Sequence, residues 1–205
     1  DPASERVLVD GLPTGADGGL ASLPDGALLV PVAGAVLRVP PDARGLRAAQ
    51  AAVHATGLGA PGRVAVEATT GEVMVVDVGA TWTELDVVEP GGAYGAPATE
   101  GPDAGDGSLP PAFAYRHGEG CTGGIGGAWL APPFVADAAR SAYVFSDRGC
   151  PGVWALEPGA GLHLVRIAPD LPYRLGAVVA GPDGAAYLLP AGPDGGPILR
   201  LAPNG

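Results

Sequence analysis

The sequence contains no lysine. Its 11 basic residues are all arginine, set against 22 Asp and Glu, for a formal net charge of −11. The absence excludes Schiff-base chemistry on a lysine and phosphate binding through a P-loop lysine. So acidic a chain also lacks the basic face that nucleic-acid phosphates require, and no nucleic-acid partner is expected. Cysteine is scarce: Cys121 and Cys150 are the only two, without CxxC spacing or a neighbouring His/Cys set, which argues against a zinc site. No apolar run approaches the ~18–20 residues that span a bilayer, so no membrane span is expected. The opening residues, Asp1-Pro2-Ala3-Ser4-Glu5-Arg6, carry no signal peptide; a mature, processed product or a trimmed chain begins this way.

Glycine and proline are abundant, at 35 and 23 residues, and stand at intervals between short apolar runs. With 47% hydrophobic residues and a mean hydropathy of +0.25, that spacing argues for many turns and few helices, not for disorder. A length of 205 residues suits one good-sized domain, 1–205. High Ala, Gly, Pro and Arg without Lys reflects a GC-rich genome, a codon bias that says nothing of function.

One pattern occurs at both ends. Leu23-Pro24-Asp25-Gly26-Ala27-Leu28-Leu29-Val30 is followed by Val36-Leu37-Arg38-Val39. Gly181-Pro182-Asp183-Gly184-Ala185-Ala186-Tyr187-Leu188-Leu189 is followed by Ile198-Leu199-Arg200-Leu201. Each reads as strand, Pro-Asp-Gly turn, strand, second turn, third strand. Pro presets φ, Asp bonds its own backbone, and Gly supplies φ > 0. Between them lie Arg63–Glu67, Glu72–Asp77 and a strand near Glu84–Val88, then Gly127–Leu130, Ser141–Phe145, Gly152–Leu156 and an alternating outer strand, Leu162–Arg166. Residues Ala43–Ala52 fit one helical turn or a solvated loop, and Arg6–Val9 a short strand. Glu89–Gly120 has little periodicity; long loops of this kind are often functional. Core strands beginning near residues 20, 63, 127 and 176 predict an all-β chain, a β-propeller of about four four-stranded blades. A β-sandwich explains the strands but not the matched hairpins.

For the two cysteines, a disulfide is the natural reading in an exported-type chain, with two separate buried thiols as the alternative. Closing a loop of 29 residues contributes ~3–4 kcal/mol on the chain-entropy model. None of His54, His117 and His163 stands beside a Ser or Cys nucleophile in an elbow, so a hydrolase triad is unsupported. His117, in Tyr115-Arg116-His117-Gly118-Glu119, is the histidine expected near the central opening, and His163 a surface residue. Trp82, Trp129 and Trp154 fall where aromatics fill gaps between sheets.

Asp77-Val78-Gly79-Ala80-Thr81-Trp82-Thr83-Glu84-Leu85, then Glu89-Pro90-Gly91-Gly92-Ala93-Tyr94-Gly95-Ala96-Pro97 and Glu100-Gly101, resembles a segment of soluble glucose/sorbosone dehydrogenases, D-V-G-x-x-x-W-E-E-I-N, P-G-x-N-Y-G-W-P and E-G. Gly120-Cys121, Gly126-Gly127, Tyr143–Asp147 and Cys150–Leu156 are similar to the family's paired-cysteine blade. The opening Arg6–Gly15 and the last hairpin also fit. The resemblance implies an exported bacterial protein, periplasmic or secreted, with a six-bladed propeller of which this chain is a reduced or partial version. It further implies pyrroloquinoline quinone (PQQ) and calcium, and oxidation of the CH–OH group of aldose sugars. Gly79 and Ala80 match positions whose carbonyls bind calcium, with Asp77 and Glu84 nearby, and Tyr94 matches a cofactor-side position.

The chain departs from the family at its chemistry. The general-base histidine of His-Asn-Gly-Gly corresponds to Ala16, in Ala16-Asp17-Gly18-Gly19, leaving Asp17 and His117 as substitute candidates. The quinone-gripping Arg-Asn of G-L-R-N-P corresponds to Gly59-Ala60; Arg63 is close in sequence but begins a strand. The expectation is therefore a non-catalytic propeller binding a small molecule such as a sugar, or a protein, with self-association to complete a ring; the alternative is the quinone- and calcium-dependent oxidoreductase.

Overall fold

The computed structural model describes residues 5–13, 19–103, 105, 107–118, 120–132, 141–150, 152–157, 163–169, 171, 173–191 and 195–202. Apart from one 3-10 turn at Ala48–Gln50, every regular element among them is a strand. Four sheets follow one another along the chain. Sheet I runs β10 (Gly92–Ala93), β6 (Ala52–Thr56), β4 (Ala35–Val39), β3 (Leu28–Val32), β2 (Ala21–Ser22). Sheet II runs β11 (Phe113–Arg116), β9 (Trp82–Val87), β8 (Val73–Val78), β7 (Pro61–Val66). Sheet III is β12 (Gly124–Leu130), β13 (Ala142–Asp147), β14 (Gly152–Glu157) and β15 (His163–Pro169). Sheet IV is β16 (Leu175–Ala180), β17 (Ala186–Pro190) and β18 (Leu199–Leu201). A parallel pair, β1 (Val9–Asp10) with β5 (Leu46–Arg47), stands apart. The first strand of each sheet packs on the first strand of the next, β2 on β7, β7 on β12 and β12 on β16. This is the blade arrangement of a propeller.

The repeated hairpins fold as their residues dictate. In the first, Gly26 N donates to Leu23 O, Asp25 Oδ1 accepts from Ala27 N at 3.0 Å, and Gly26 has φ of 82°. In the second, Gly184 N donates to Gly181 O and Gly184 has φ of 76°. The Leu-Arg of each third strand has a role too: Arg38 pairs with Asp25, and Arg200 Nε donates to Asp183 Oδ2 at 2.8 Å. Each ion pair ties a turn to the strand two places along.

The sheets bury both faces, so β8 reads as an unbroken buried run. One face of β8 sends Val73 and Val75 against Leu29, Val36 and Ala55 of sheet I. The other sends Met74 and Val76 against Tyr143, Phe145 and Leu156 of sheet III. Sheets III and IV meet through Val144, Val153, Leu175, Val178 and Leu188. Cys121 and Cys150 form a disulfide between the β11–β12 connection and the β13–β14 turn.

Five strands depart from expectation. β6 lies where no strand is expected, and within 43–52 the expected single helical turn is the 3-10 turn, with β5 before it. The span Glu89–Gly120 is not all loop: β10 adds to sheet I in parallel, and β11 is the outer strand of sheet II. β1 is Val9–Asp10, not Arg6–Val9.

Close packing makes one substitution decisive. A Cβ at Gly127 would lie 1.8 Å from Val144 O on the neighbouring strand, so β12 and β13 would have to part. Gly127→Ala is expected to lower stability by about 3 kcal/mol, read as a lower urea midpoint at unchanged slope.

Candidate functional site

One end of the four sheets encloses a cleft of 580 Å³. Its walls come from the β3–β4 turn (Ala33), the β6–β7 connection and start of β7 (Gly59 to Arg63), and the end of β8 (Val78). Opposite stand Thr122 to Ile125 at the start of β12, Arg148 in the β13–β14 turn, Leu175-Gly176, and Ala191. No histidine and no carboxylate is among these lining residues, and the charged side chains are Arg63 and Arg148.

The loops on two sides of the cleft are fixed by Asp147. It is 1% exposed and accepts from Tyr115 OH at 2.7 Å, Thr122 N at 3.0 Å, Gly123 N at 2.9 Å, Gly149 N at 2.6 Å and Cys150 N at 3.2 Å. Burial raises its pKa, but these donors outweigh burial and hold the carboxyl below the ordinary range. Tyr115 is pushed up by burial and by the hydrogen bond its hydroxyl donates to that carboxylate.

Beside the cleft, a pocket of 190 Å³ is lined by Asp77, Gly79, Ala80, Glu84 and Glu100, with Gly59 and Val78 shared between the two. Glu100 accepts from Ala80 N at 2.6 Å and Thr81 N at 2.9 Å, which lower its pKa. Deeper down, Asp77, Glu84 and Asp86 each bring a carboxylate oxygen to within 4.8 Å of the others. Asp77 accepts from Gly59 N at 2.6 Å and Ala60 N at 2.7 Å, and Glu84 from Gly101 N at 2.5 Å. Asp86 Oδ2 is buried and has no partner among the described residues. Burial raises all three, with mutual repulsion adding to it, and pushes Asp86 up to about 8.

Calcium binds six to eight oxygens. The residues fit such a cation: a buried, orphaned carboxylate oxygen faces two further carboxylates, and the turn of Gly79 and Ala80 adjoins them. The cleft fits an anion by its two arginines.

The sequence-derived candidates divide. Gly79 and Ala80 lie in the acidic pocket. Tyr94 is buried between sheets I and II, its hydroxyl donating to Val87 O at 2.7 Å and accepting from Glu89 N at 2.9 Å; it does not line the cleft. His117 is half-buried with Nε2 3.0 Å from Thr83 Oγ1, outside the cleft lining. Ala16 and Asp17 lie outside the described residues. His163 lies on β15 and its side chain is outside them. Trp129 meets Tyr143 edge-on and Trp154 stacks near Phe145, both in the sheet II–III seam. Arg148, Asp86 and Asp147 were not singled out by sequence; the signal for Arg148 and Asp147 is a charged pair in a glycine-flanked turn between two strands.

No family model and no curated protein matches the chain. Solved structures do. A glucose dehydrogenase is similar with a TM-score of 0.72 at 20% identity, over 92% of this chain and 64% of that one. A putative oxidoreductase (glucose dehydrogenase) from Thermus thermophilus has a TM-score of 0.71 at 22% identity, over 96% of this chain and 70% of that one. The PQQ-bound form of aldose sugar dehydrogenase from Streptomyces coelicolor has a TM-score of 0.69 at 21% identity, over 93% and 63%. These likenesses show a glucose/sorbosone dehydrogenase-like propeller fold. The chain spans about 64% of the length of the first of them.

The buried acids set a pH dependence. The native state keeps a proton on Asp86 that the unfolded chain, at the ordinary 3.8, has lost. The native state therefore binds more protons, and stability falls as pH rises from about 4 to about 8. Asp86→Asn is expected to flatten that fall and to be the more stable protein at pH 8, in urea melts with chelator present.

Proposed function

We propose that this chain is an exported, glucose/sorbosone dehydrogenase-like β-propeller that binds a small-molecule ligand in its central cleft without oxidising sugar. The observation that carries the reading is the cleft's lining. Among the described residues it presents arginine and backbone, and no histidine or carboxylate to take a hydroxyl proton. The sequence position of the family's base is Ala16, and His117 is turned to Thr83. General-base catalysis typically supplies ~10²–10⁴-fold, so its loss alone leaves little turnover. A protein ligand at the same face, or self-association with a second copy, belongs to the same non-catalytic reading.

A second reading, a PQQ- and calcium-dependent oxidoreductase acting on the CH–OH group of aldose sugars, is favoured by the quinone-bound Streptomyces neighbour and by the acidic pocket. When bound, the quinone supplies the electron acceptor and the calcium a Lewis acid. In this chain Asp77, Glu84 and Asp86, with the carbonyls of Gly79 and Ala80, are the oxygens that would hold the ion. Desolvation of three neighbouring carboxylates is relieved by a divalent charge, whichever reading holds.

Two measurements check this. Dye-linked glucose oxidation, with added quinone and calcium, is expected to stay at background; robust turnover would establish the second reading. Millimolar calcium is expected to raise the melting temperature of the native protein at pH 7.5, and to do so less in Asp86→Asn.

A further inference from the structure

We infer that a second cavity, between sheets I and II, binds a small organic amine in its ammonium form, with His54 as a hydrogen-bond acceptor for it. The cavity measures 530 Å³ and shares no lining residue with the central cleft. β3 runs from the Pro-Asp-Gly turn at this cavity towards Ala33 at the cleft, and β8 runs from Val73 here to Val78 there. The two sites thus lie at opposite ends of the same strands, and neither depends on what the other binds.

β6 inverts the usual order of a strand. Val53 is 53% exposed, while its neighbour His54 is 5% exposed. The pairing with β4 shows how this arises. Leu37 faces Val53 and Val36 faces Ala55, so His54 is the extra residue of a β-bulge. Bulges re-aim a side chain and recur beside functional sites. His54 lines the cavity, and its Nε2 is buried with no hydrogen-bond partner among the described residues. The Val88 backbone bonds the ring, which makes Nδ1 the protonated nitrogen and Nε2 a bare acceptor. Burial holds the pKa of His54 below its ordinary value, with the charge of Arg38 adding to it, so the ring keeps that lone pair at neutral pH. A buried acceptor left unmet is destabilising, and a donor brought by a ligand relieves it. The loop after β9 is held to the same residue, since Gly91 N donates to His54 O at 2.7 Å.

Ligand class follows from what the walls offer. The charged lining is three carboxylates, Asp25, Glu72 and Glu89, against one guanidinium, Arg38, which is paired with Asp25. With His54 Nε2 added, the cavity presents chiefly acceptors. A matching ligand brings donors and positive charge, and an ammonium group has three donors and no acceptor. Net charge of −11 over the whole chain draws cations towards it. Leu23 and Val73 give a methylene body an apolar surface to rest on. A metal ion is a poorer match. Among the described residues His54 belongs to no set of three His, Cys, Asp or Glu side chains whose ligand atoms lie within 4.8 Å of one another. Acceptors spread along an elongated space, on the β2–β3 turn, the β7–β8 turn, β6 and the loop after β9, suit a chain-like amine with an ammonium group at each end.

The experiment is calorimetric titration of the full chain at pH 7.5 with 1,4-diaminobutane, using 1,4-butanediol as the neutral isostere. The diamine is expected to bind saturably and more weakly as salt is raised, with the diol at least tenfold weaker. His54→Phe keeps a ring and removes the acceptor; Glu89→Gln removes a charge from an exposed side chain. Each is expected to weaken diamine binding at least tenfold, with urea midpoints confirming that the variants fold. In the unmodified protein the ¹⁵N resonance of His54 Nε2 is expected to move on adding the diamine while Nδ1 keeps its proton. A histidine that serves only to hold Val88 would show no such movement. If His54→Phe does not fold, Glu89→Gln and the Nε2 resonance decide. Absence of diamine binding overturns the inference, as does a diol that binds equally well. Diamine binding that leaves the Nε2 resonance in place, or is unchanged in Glu89→Gln, overturns it too.

Discussion

The carboxylate of Asp147 is the interaction on which the cleft depends. Its five donors come from β11, from the chain entering β12 and from the β13–β14 turn. Three segments that share no strand pairing at those residues are thereby fixed to one point. Without that carboxylate the buried Gly123 N–H would be left unpaired, at a cost of ~1–3 kcal/mol, and the part-buried N–H groups of Thr122, Gly149 and Cys150 would lose their partner. The disulfide joins the same connection to the same turn, so a covalent and an ionic fastening act in parallel. Thr122, Gly123 and Arg148, all in the cleft wall, owe their positions to this one site.

A comparison within the molecule shows that burial alone does not decide the state of an acid. Asp147 and Asp86 are equally buried, at 1% exposure. Asp147 is surrounded by donors and stays ionised at lower pH than an ordinary aspartate. Asp86 faces Asp77 and Glu84, has an unpartnered oxygen, and holds its proton to about pH 8. The first is stabilised as an anion by its donors; the second is kept protonated by burial and by its acidic neighbours. Both lie next to the cleft or its neighbouring pocket, so a fold rich in backbone donors serves two opposite electrostatic purposes within one face.

Most strands were legible in the sequence because their signals are local: apolar runs closed by Pro-Asp-Gly or glycine turns. β6 and β11 were not. Ala52-Val53-His54-Ala55-Thr56 is too rich in alanine to read as a strand, and β11 is four residues following Pro110-Pro111. β10 pairs in parallel with a strand 37 residues earlier (Gly92 with Ala55, Ala93 with Thr56), a non-local contact with no sequence mark. The site was harder for a geometric reason. β7 carries a register shift between Pro61 and Val64, and such a shift changes which face a side chain takes. The direction of Arg63 could not be read from alternation. In β9, alternation would send Glu84 and Asp86 to solvent; but sheet I covers that face, and the polar stripe becomes the buried acid cluster.

β12 shows how packing and function are coupled. Its start, Gly124-Ile125-Gly126-Gly127, is poor strand sequence, since glycine gives up much freedom on ordering. Each glycine has a reason in contact. A Cβ at 124 would lie 2.5 Å from Val76 Cγ1, one at 126 would meet Arg63, and one at 127 would strike Val144 O. The strand is pressed between sheets II and IV, and its lack of side chains lets it be. A strand so weak in its own propensity needs an anchor, and Asp147 with the disulfide supplies one immediately before it. The same glycines that let the blades close leave the room through which Arg63 reaches the cleft. The charge of the cleft is thus set by the packing of the inner strands, and a change that improved β12 as a strand would move Arg63.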